Sequence, residues 1–546
     1  MNASHSGLTP IKMQVAWNRL IALVEEQAQT LLRTAFSSIV RECGDLSAGI
    51  FDPSGRMLAQ AVTGTPGHIN TMARSVFSFL EAFPVETLKE GDILVTNDPW
   101  KGTGHLNDYI VVTPAFRNGR VVALFACTGH MTDVGGIGFS PEGSDVFCEG
   151  VYVPVMKLAE GGRMNETLMR IVKSNCRVPA ELEGDMYSLI AANEVAVRRL
   201  AEMMDETGLE DLDAVADHII AASRDAVRTR IAALPKGTAS YSMTVDGFEE
   251  PVELVGTLTV DDDGVRFDWT GTSGLSRYGI NVPMNYTTAM TAYALVCAIA
   301  PDVPNNEGGL SQFSVTAPET SIVNARWPSP VACRHVIGLL LPDVVFGCFD
   351  QLVPDKVPAE GASTQWSLML RGGSPSNTWA ISIVTNGGSG ARPGADGLSA
   401  TSFPSNVRGT PVEIVESTTP LVIWKRELRE GSGGDGRWKG GFGQDMEIGT
   451  TENGPFTLFA SFDRIKYPAR GRMSGLSGAP GELEIAGGRK LAGKGTHVVK
   501  PGERLVVRTP GGGGYGPAAR AIQEKCEAVF RPELRKKDRF IVSVKR

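Results

Sequence analysis

The apolar pattern of this chain changes period at Asp45, and that change fixes its fold class. Upstream, Thr9-Pro10 supplies a capping hydroxyl followed by proline at the first helical position. Trp17, Leu20, Val24, Ala28, Leu31, Ala35 and Ile39 then recur at helical spacing. Downstream, Ala48-Gly49-Ile50-Phe51 ends in the turn Asp52-Pro53-Ser54-Gly55, and Met57 to Val62 returns as its hairpin partner. Residues 92–96, 109–114 and 121–128 read as further strands, the last two joined by a turn at Arg117-Asn118-Gly119. Helical spacing resumes over 165–233, residues 237–272 are β-rich with a turn at 261–264, and Thr288 to Ala298 is a small-residue helix. After about residue 420 the chain turns Gly-rich and strand-like, as in a sandwich or barrel-like unit. The expected class is α+β: a multidomain protein of mixed α/β sheets with a β-rich, Gly-rich C-terminal region. A chain of 546 residues exceeds one ordinary core. The pattern divides it into 1–235, 236–420 and 421–546.

Charge and composition exclude several partners. A net charge of -8 argues against a nucleic-acid footprint, and the basic run Arg535-Lys536-Lys537-Asp538-Arg539 reads as a solvated end. No apolar run reaches the ~18–20 residues of a membrane span. The start Met1-Asn2-Ala3-Ser4-His5-Ser6-Gly7 lacks the features of a signal peptide. The eight cysteines form no Cys-x-x-Cys pair, so neither a zinc knuckle nor a disulfide scaffold is expected, Cys148 and Cys176 included. These features together point to a cytoplasmic protein.

Two of only seven histidines, His105 and His130, stand 25 residues apart beside aspartates. His105-Leu106-Asn107-Asp108 closes a loop between two expected strands, and His130-Met131-Thr132-Asp133 stands at a strand exit. Loops leaving a rigid sheet are where ligands are usually presented. Imidazole with carboxylate suits a borderline divalent ion such as zinc, manganese or iron. Three protein ligands leave a position open for water or substrate. The expected ligands are His105, Asp108 and His130, with Asp98 or Asp133 as general base or as a group orienting a ligand. His68 either caps the following helix or faces the site.

Two glycine-rich stretches imitate phosphate sites. Gly488-Arg489-Lys490-Leu491-Ala492-Gly493-Lys494 resembles a P-loop, but Gly495 stands where the magnesium-binding hydroxyl belongs, and no helix follows. Gly511 to Gly514 could nest a phosphate, yet a flexible turn is the preferred reading.

In order along the chain, these residues resemble a known family. Val15-Ala16-Trp17-Asn18-Arg19-Leu20, Leu32-Arg33-Thr34-Ala35-Phe36-Ser37, Asp45-Leu46-Ser47, Asn97-Asp98-Pro99, His105-x-x-Asp108 and His130-x-x-Asp133-Val134-Gly135-Gly136 carry the resemblance. Pro304-Asn305-Asn306-Glu307-Gly308, Ser432-Gly433-Gly434-Asp435-Gly436-Arg437 and Thr509-Pro510 through Gly516 continue it. They are similar to hydantoinase B subunits, a family that includes N-methylhydantoinase, caprolactamase, the B-like half of 5-oxoprolinase, and acetone and acetophenone carboxylase subunits.

The resemblance implies a metal-bearing B-type subunit. A separate A-type subunit with an actin-like ATPase fold would bind ATP and phosphorylate the substrate oxygen. Asp45 would be a further ligand or hold a ligating histidine. A heterotetramer or larger assembly is implied. The implied reaction is ATP-dependent ring opening of a cyclic amide (hydantoin, oxoproline or lactam), with ketone carboxylation as the alternative. The chain departs from the family at Gly102-Thr103-Gly104, at Asn107, where proline is usual, and at Met131, where histidine is frequent.

Overall fold

The computed structural model describes residues 9–262, 264–374 and 377–518. The first seven residues, Cys526 and the basic run 535–539 lie outside the described residues. Helix α1 (Pro10–Thr34) starts where Thr9 and Pro10 place it, with the Thr9 hydroxyl accepting from the Lys12 amide. A single turn, α2 (Ser38–Arg41), leads to the first sheet. Its strands are β1 (Leu46–Phe51), β2 (Met57–Gln60), β3 (Ile93–Thr96), β4 (Asp108–Arg117), β5 (Arg120–His130), β6 (Met156–Glu160) and β7 (Arg163–Met164), and α3 (Pro66–Ala82) falls between β2 and β3. They lie in the order β2-β1-β5-β4-β3-β6-β7, every neighbouring pair antiparallel.

Both faces of this sheet are covered, so its central strands read as continuous apolar runs rather than alternating ones. On one face lie α1 and α5 (Pro179–Thr207), which follows α4 (Glu166–Asn175); on the other lies α3 with Met72, Val76 and Phe79. Gln27 of α1 and Asn193 of α5 meet under the sheet. Gln27 Nε2 donates to Asn193 Oδ1 at 2.7 Å, and Asn193 Nδ2 donates to the Val111 carbonyl. The donor sides of both buried amides are thereby satisfied, while Gln27 Oε1 has no partner.

Helix α6 (Asp213–Ala232) leads into a second core. Strands β8 (Gly237–Val245), β9 (Val252–Asp261), β10 (Gly264–Asp268) and β11 (Phe313–Thr316) form a four-stranded sheet. The strict alternation of burial along β9 shows that only one face is covered. The covering helices are α7 (Met284–Ile299), the short α8 (Glu307–Leu310) and α9 (His335–Gly338), and α10 (Leu341–Leu352). Among the described residues the stretch His335–Leu352 is long and apolar enough to cross a membrane by composition, contrary to expectation; it is 83% buried in this core.

The third unit is a β-sandwich. Strands β12 (Gln365–Ser374), β13 (Asn377–Asn386), β14 (Leu421–Leu428), β15 (Gln444–Thr450), β16 (Phe456–Ser461), β17 (Glu482–Ile485), β18 (Arg489–Lys490), β19 (Lys494–Val499) and β20 (Leu505–Arg508) form two sheets, β13-β12-β16-β19 and β14-β15-β20-β17-β18. The division expected at 420 is corrected here. β12 pairs with β16 across it, because the glycine content changes near 420 while the sheet does not. At the 235 division, Val227 and Ile231 of α6 already pack in the second core. A buried ion cluster joins second and third units: Arg464 holds Asp343 at 2.9 Å and Glu360 at 3.1 Å.

The P-loop imitation spans β18 and the start of β19, which lie in different sheets and do not pair with each other. Lys494 is buried there and spends its ammonium on Asp463 and the Phe462 carbonyl. Gly511–Gly514 is neither turn nor phosphate nest. It is buried among other glycine backbones: the Gly434 amide donates to the Gly512 carbonyl at 2.8 Å, and the Gly512 amide donates to the Gly441 carbonyl at 3.0 Å. Every described cysteine is free, Cys148 and Cys176 included.

A Cβ added at Gly512 would stand 1.9 Å from the Ser389 carbonyl oxygen, a backbone atom with little freedom to yield. Gly512→Ala is expected to destabilise the protein at or beyond the ~3 kcal/mol upper end of overpacking penalties. Gly454→Ala, which meets nothing within 4 Å, is expected to stay within ~0.5 kcal/mol of the parent. Urea denaturation midpoints of the two variants test this, and equal midpoints would contradict it.

Candidate metal centre

Three adjacent strands end at one edge of the first sheet. Asp108 opens β4 and His130 closes β5, and the two are cross-strand partners. Asp45 immediately precedes β1, and its carbonyl accepts from the His130 amide at 3.2 Å. The side chains of consecutive strand ends therefore meet without any long loop. His105 arrives from the loop before β4. That loop is pinned by Asn97, which donates to the Leu106 carbonyl, and by Gly104 at φ +99°, where a Cβ would come 2.8 Å from the Arg334 side chain.

Two of the three departures from the family pattern, Asn107 and Met131, face each other. Met131 donates its amide to the Asn107 carbonyl at 2.7 Å, and Asn107 Nδ2 donates to the Met131 carbonyl at 2.9 Å. This pair ties the two histidine-bearing loops together, and a proline at 107 would have no side-chain donor to offer.

Asp108 is the centre of the cluster and has no exposure. Its Oδ1 lies 2.9 Å from His105 Nε2 and 3.0 Å from His130 Nδ1. Its Oδ2 lies 2.9 Å from His68 Nε2 and 2.8 Å from an Arg334 guanidinium nitrogen, and it accepts from the Thr103 hydroxyl at 2.5 Å. Asp45 stands 3.6 Å from His68 Nε2 and 3.9 Å from His130 Nδ1. Burial alone would raise the Asp108 carboxyl, but the surrounding imidazoles hold it well below the usual carboxylate range. Burial and the Arg334 charge push His105 down to about 4. Burial opposes His68 as well, yet Asp108 and Asp45 raise it above its ordinary value.

The geometry fits a metal ion. His105 Nδ1 lies 2.9 Å from the Ala332 carbonyl, an acceptor that places the ring proton there and the lone pair on Nε2. That Nε2 is buried and has no hydrogen-bond partner of acceptable geometry. His105, Asp108 and His130 each offer one ligand atom, all within 4.8 Å of one another. Two carboxylates, Asp108 and Asp45, stand among the imidazoles here, a donor set suited to a cation.

The two aspartates expected as bases are engaged elsewhere. Asp133 binds Arg177 at 2.6 Å and accepts from the Arg177 amide, because the chain turns away after β5 ends at His130. Asp98 accepts from the Trp100 amide and the Tyr152 hydroxyl, which makes it the organiser of its own loop. His68, in the first turn of α3, faces the site, which settles the two readings left open by sequence.

Sequence reasoning missed Arg334, His335, Tyr286 and Phe139, all of which line the same cavity. Arg334 stacks 4.0 Å above the Tyr286 ring while it pairs with Asp108. His335 stacks on Phe139 at 5.4 Å, its Nε2 is unpartnered, and burial with the Arg334 charge holds it neutral. One signal was present, namely that His335 is among the seven histidines and follows an arginine.

Neutral buried imidazoles make the fold acid-sensitive. His105 and His335 contribute stability that is complete above about pH 6.5 and is lost as pH falls toward their depressed values. His68 works in the opposite direction, since its raised value favours the fold below pH 6.5. The metal-free chain is expected to lose stability between pH 7 and 4, by an amount of order 3 kcal/mol from His105 alone. Urea midpoints across that range test it, and His105→Asn should flatten the slope. Stability that rises on acidification would contradict the assignment.

The sequence profile of the family described as Hydantoinase B/oxoprolinase matches residues 9–518. The chain is 30% identical to 5-oxoprolinase PfmaA of Pestalotiopsis fici over 93% of its own length, spanning 41% of that larger protein. It is 26% identical to caprolactamase subunit beta of Pseudomonas jessenii over 94% of this chain and 91% of that one. In fold it matches the crystal structure of the ATP-dependent caprolactamase from Pseudomonas jessenii with a TM-score of 0.86, at 24% identity over 94% of this chain and 92% of the other. A profile match over nearly the whole chain, with an α+β architecture to accompany it, makes this protein a member of the Hydantoinase B/oxoprolinase family.

Proposed function

We propose that this chain is the metal-holding B-type subunit of an ATP-dependent cyclic-amide hydrolase, acting with a separate A-type subunit that has an actin-like ATPase fold. The observation that carries the reading is the convergence of His105 Nε2, Asp108 Oδ1 and His130 Nδ1 in one buried site of a chain from this family. An amide resists water because its nitrogen leaves poorly and its carbonyl is resonance-stabilised. Phosphorylation of the carbonyl oxygen on the partner removes that resonance. Overall, two waters and one ATP are consumed: one ring C–N bond breaks, one water oxygen goes to carbon and a proton to nitrogen, the second water completes release of the phosphoryl group, and ATP becomes ADP and phosphate.

His105, Asp108 and His130 would hold a zinc, manganese or iron ion, with Asp45 as a further ligand or as the group orienting His130. Such an ion lowers the pKa of a bound water and polarises a substrate oxygen. The protein's own groups do the rest. Arg334 keeps Asp108 ionised and oriented. His335, neutral and unpartnered, offers a hydrogen bond to a group at the reacting centre. His68 shares a proton with Asp108 and Asp45 and is placed to relay it. Phe139, Ile39 and Leu339 exclude bulk water from the same cavity.

The experiment is turnover by the co-purified pair on a panel of hydantoins, lactams and ketones, with ATP consumption followed. Ring opening is expected; carboxylation of a ketone instead would displace this reading. His105→Ala and His130→Ala are expected to lose metal content and turnover while partner association persists. Asp45→Asn should cost ~10–100-fold in metal affinity or activity, whereas His218→Ala and His497→Ala should change little. Full metal content in both ligand variants would place the site elsewhere.

The isolated chain is expected not to hydrolyse ATP, since the one sequence that imitates a P-loop runs from one sheet to the other with no helix after it, and its lysine is tied to Asp463. Robust ATPase activity in the pure chain would refute this.

A further inference from the structure

The cavity at the metal centre is too small for the substrates proposed above. At about 30 Å³ it has room for a water or two. Against it lies a second cavity of about 580 Å³, within the ~300–1,000 Å³ span of small-molecule sites. Thr65 lines both. The partition between them is one thickness of chain on each side. Gly64, Thr65 and Pro66 lead into α3. Opposite them, Phe403, Pro404 and Asn406 line the outer cavity, while Ser405 and Val407 line the inner one. Asn406 Nδ2 donates to the Gly64 carbonyl at 2.6 Å and so joins the two halves of the wall.

The outer cavity is mostly apolar, with uncharged polar groups set into its wall. Among the described residues that line it there is no Asp, Glu, Lys, Arg or His. Its polar groups are the carboxamides of Gln60, Asn70, Asn305 and Asn406, together with hydroxyls that include Tyr293. Asn305 Nδ2 donates to Gln60 Oε1 and to Asn70 Oδ1, each at 2.7 Å. Asn305 belongs to the Pro304–Gly308 stretch, which the metal centre does not use. The rings of Tyr293 and Phe403, 6.2 Å apart, supply flat walls.

With Asn305 Nδ2 spent on its neighbours, Asn305 Oδ1 and Gln60 Nε2 remain as an acceptor and a donor, the complement of a ring edge carrying N–H beside C=O. An anion in this chamber would lose hydration without meeting a cation. We propose that the outer cavity is the docking site for an uncharged cyclic amide, held there before its carbonyl oxygen is phosphorylated. This inference rests on the function proposed above, and its test separates the two.

The test uses the full-length, metal-loaded chain, with hydantoin as the neutral probe and 5-oxoproline as its anionic counterpart. Saturation-transfer NMR should show hydantoin binding, with 5-oxoproline weaker. Val303→Trp, which fills the cavity from its rim, and Asn305→Leu, which removes its central amide, should each weaken hydantoin binding by about tenfold or more at unchanged metal content. With the partner subunit present, the same variants should raise KM by a similar factor. Wild-type affinity in both variants would overturn the inference, as would absent hydantoin binding or tighter binding of 5-oxoproline. If hydantoin binds in this variant-sensitive way but the paired subunits turn over no cyclic amide, the functional reading falls while the docking site stands.

Discussion

A carboxylate buried without exposure stays ionised only among fixed charges and donors, and Asp108 gathers them from separate parts of the chain. His105 and Thr103 come from the loop before it, His130 from the neighbouring strand, His68 from α3, and Arg334 from the second unit, 226 residues away. This side chain is one of the ties between the first sheet and the second core, beside Asn285, which donates to the Pro99 and Gly102 carbonyls, and Glu149, which accepts from the Val331 and Ala332 amides. Buried ionic clusters are weak devices for stability, because desolvation can exceed the Coulombic gain. An apolar core would serve better if stability were all that mattered. The cluster makes physical sense as a holder of ligand atoms, in which Arg334 and Thr103 occupy one carboxylate oxygen and leave the other turned toward His105 and His130.

The parts of this site that sequence could show are those the backbone brings together locally. His105, Asp108 and His130 were legible because β4 and β5 form a hairpin, so a 25-residue separation closes into direct contact. Asp133 repeats the His-x-x-Asp spacing of Asp108 but not its geometry. Asp108 starts a strand, whereas Asp133 lies past the end of one and turns to Arg177. Arg334 and His335 carry no local pattern, since what selects them is a partner in another unit. The strands and long helices were readable for the usual reason, apolar period. The division placed at 420 was not, because composition changes there while hydrogen-bonded pairing continues from β12 to β16.

Glycine misled sequence reading in a second way. A Gly-rich run ordinarily marks flexible turns, yet Gly511–Gly514 is among the buried parts of the chain. Here glycine removes side chains so that backbones can approach each other directly. Amides and carbonyls of Gly434, Gly441 and Gly512 then satisfy one another, as buried backbone must. Such a layer has no apolar period and no β-branched residues, so periodicity cannot announce it.

The sizes of the two cavities separate recognition from chemistry. The inner one admits little beyond a water and the atom being attacked, so nothing there can measure a whole ring. Ring size and substituents are read where there is space, among Gln60, Asn70, Tyr293, Asn305 and Phe403. In that arrangement a change of substrate calls for changes in the outer wall and none at Asp108, whose partners are fixed by the demands of burial. It also explains why the metal centre tolerates so little solvent. A small, enclosed inner cavity strengthens each electrostatic contact within it and keeps bulk water from the atom being attacked.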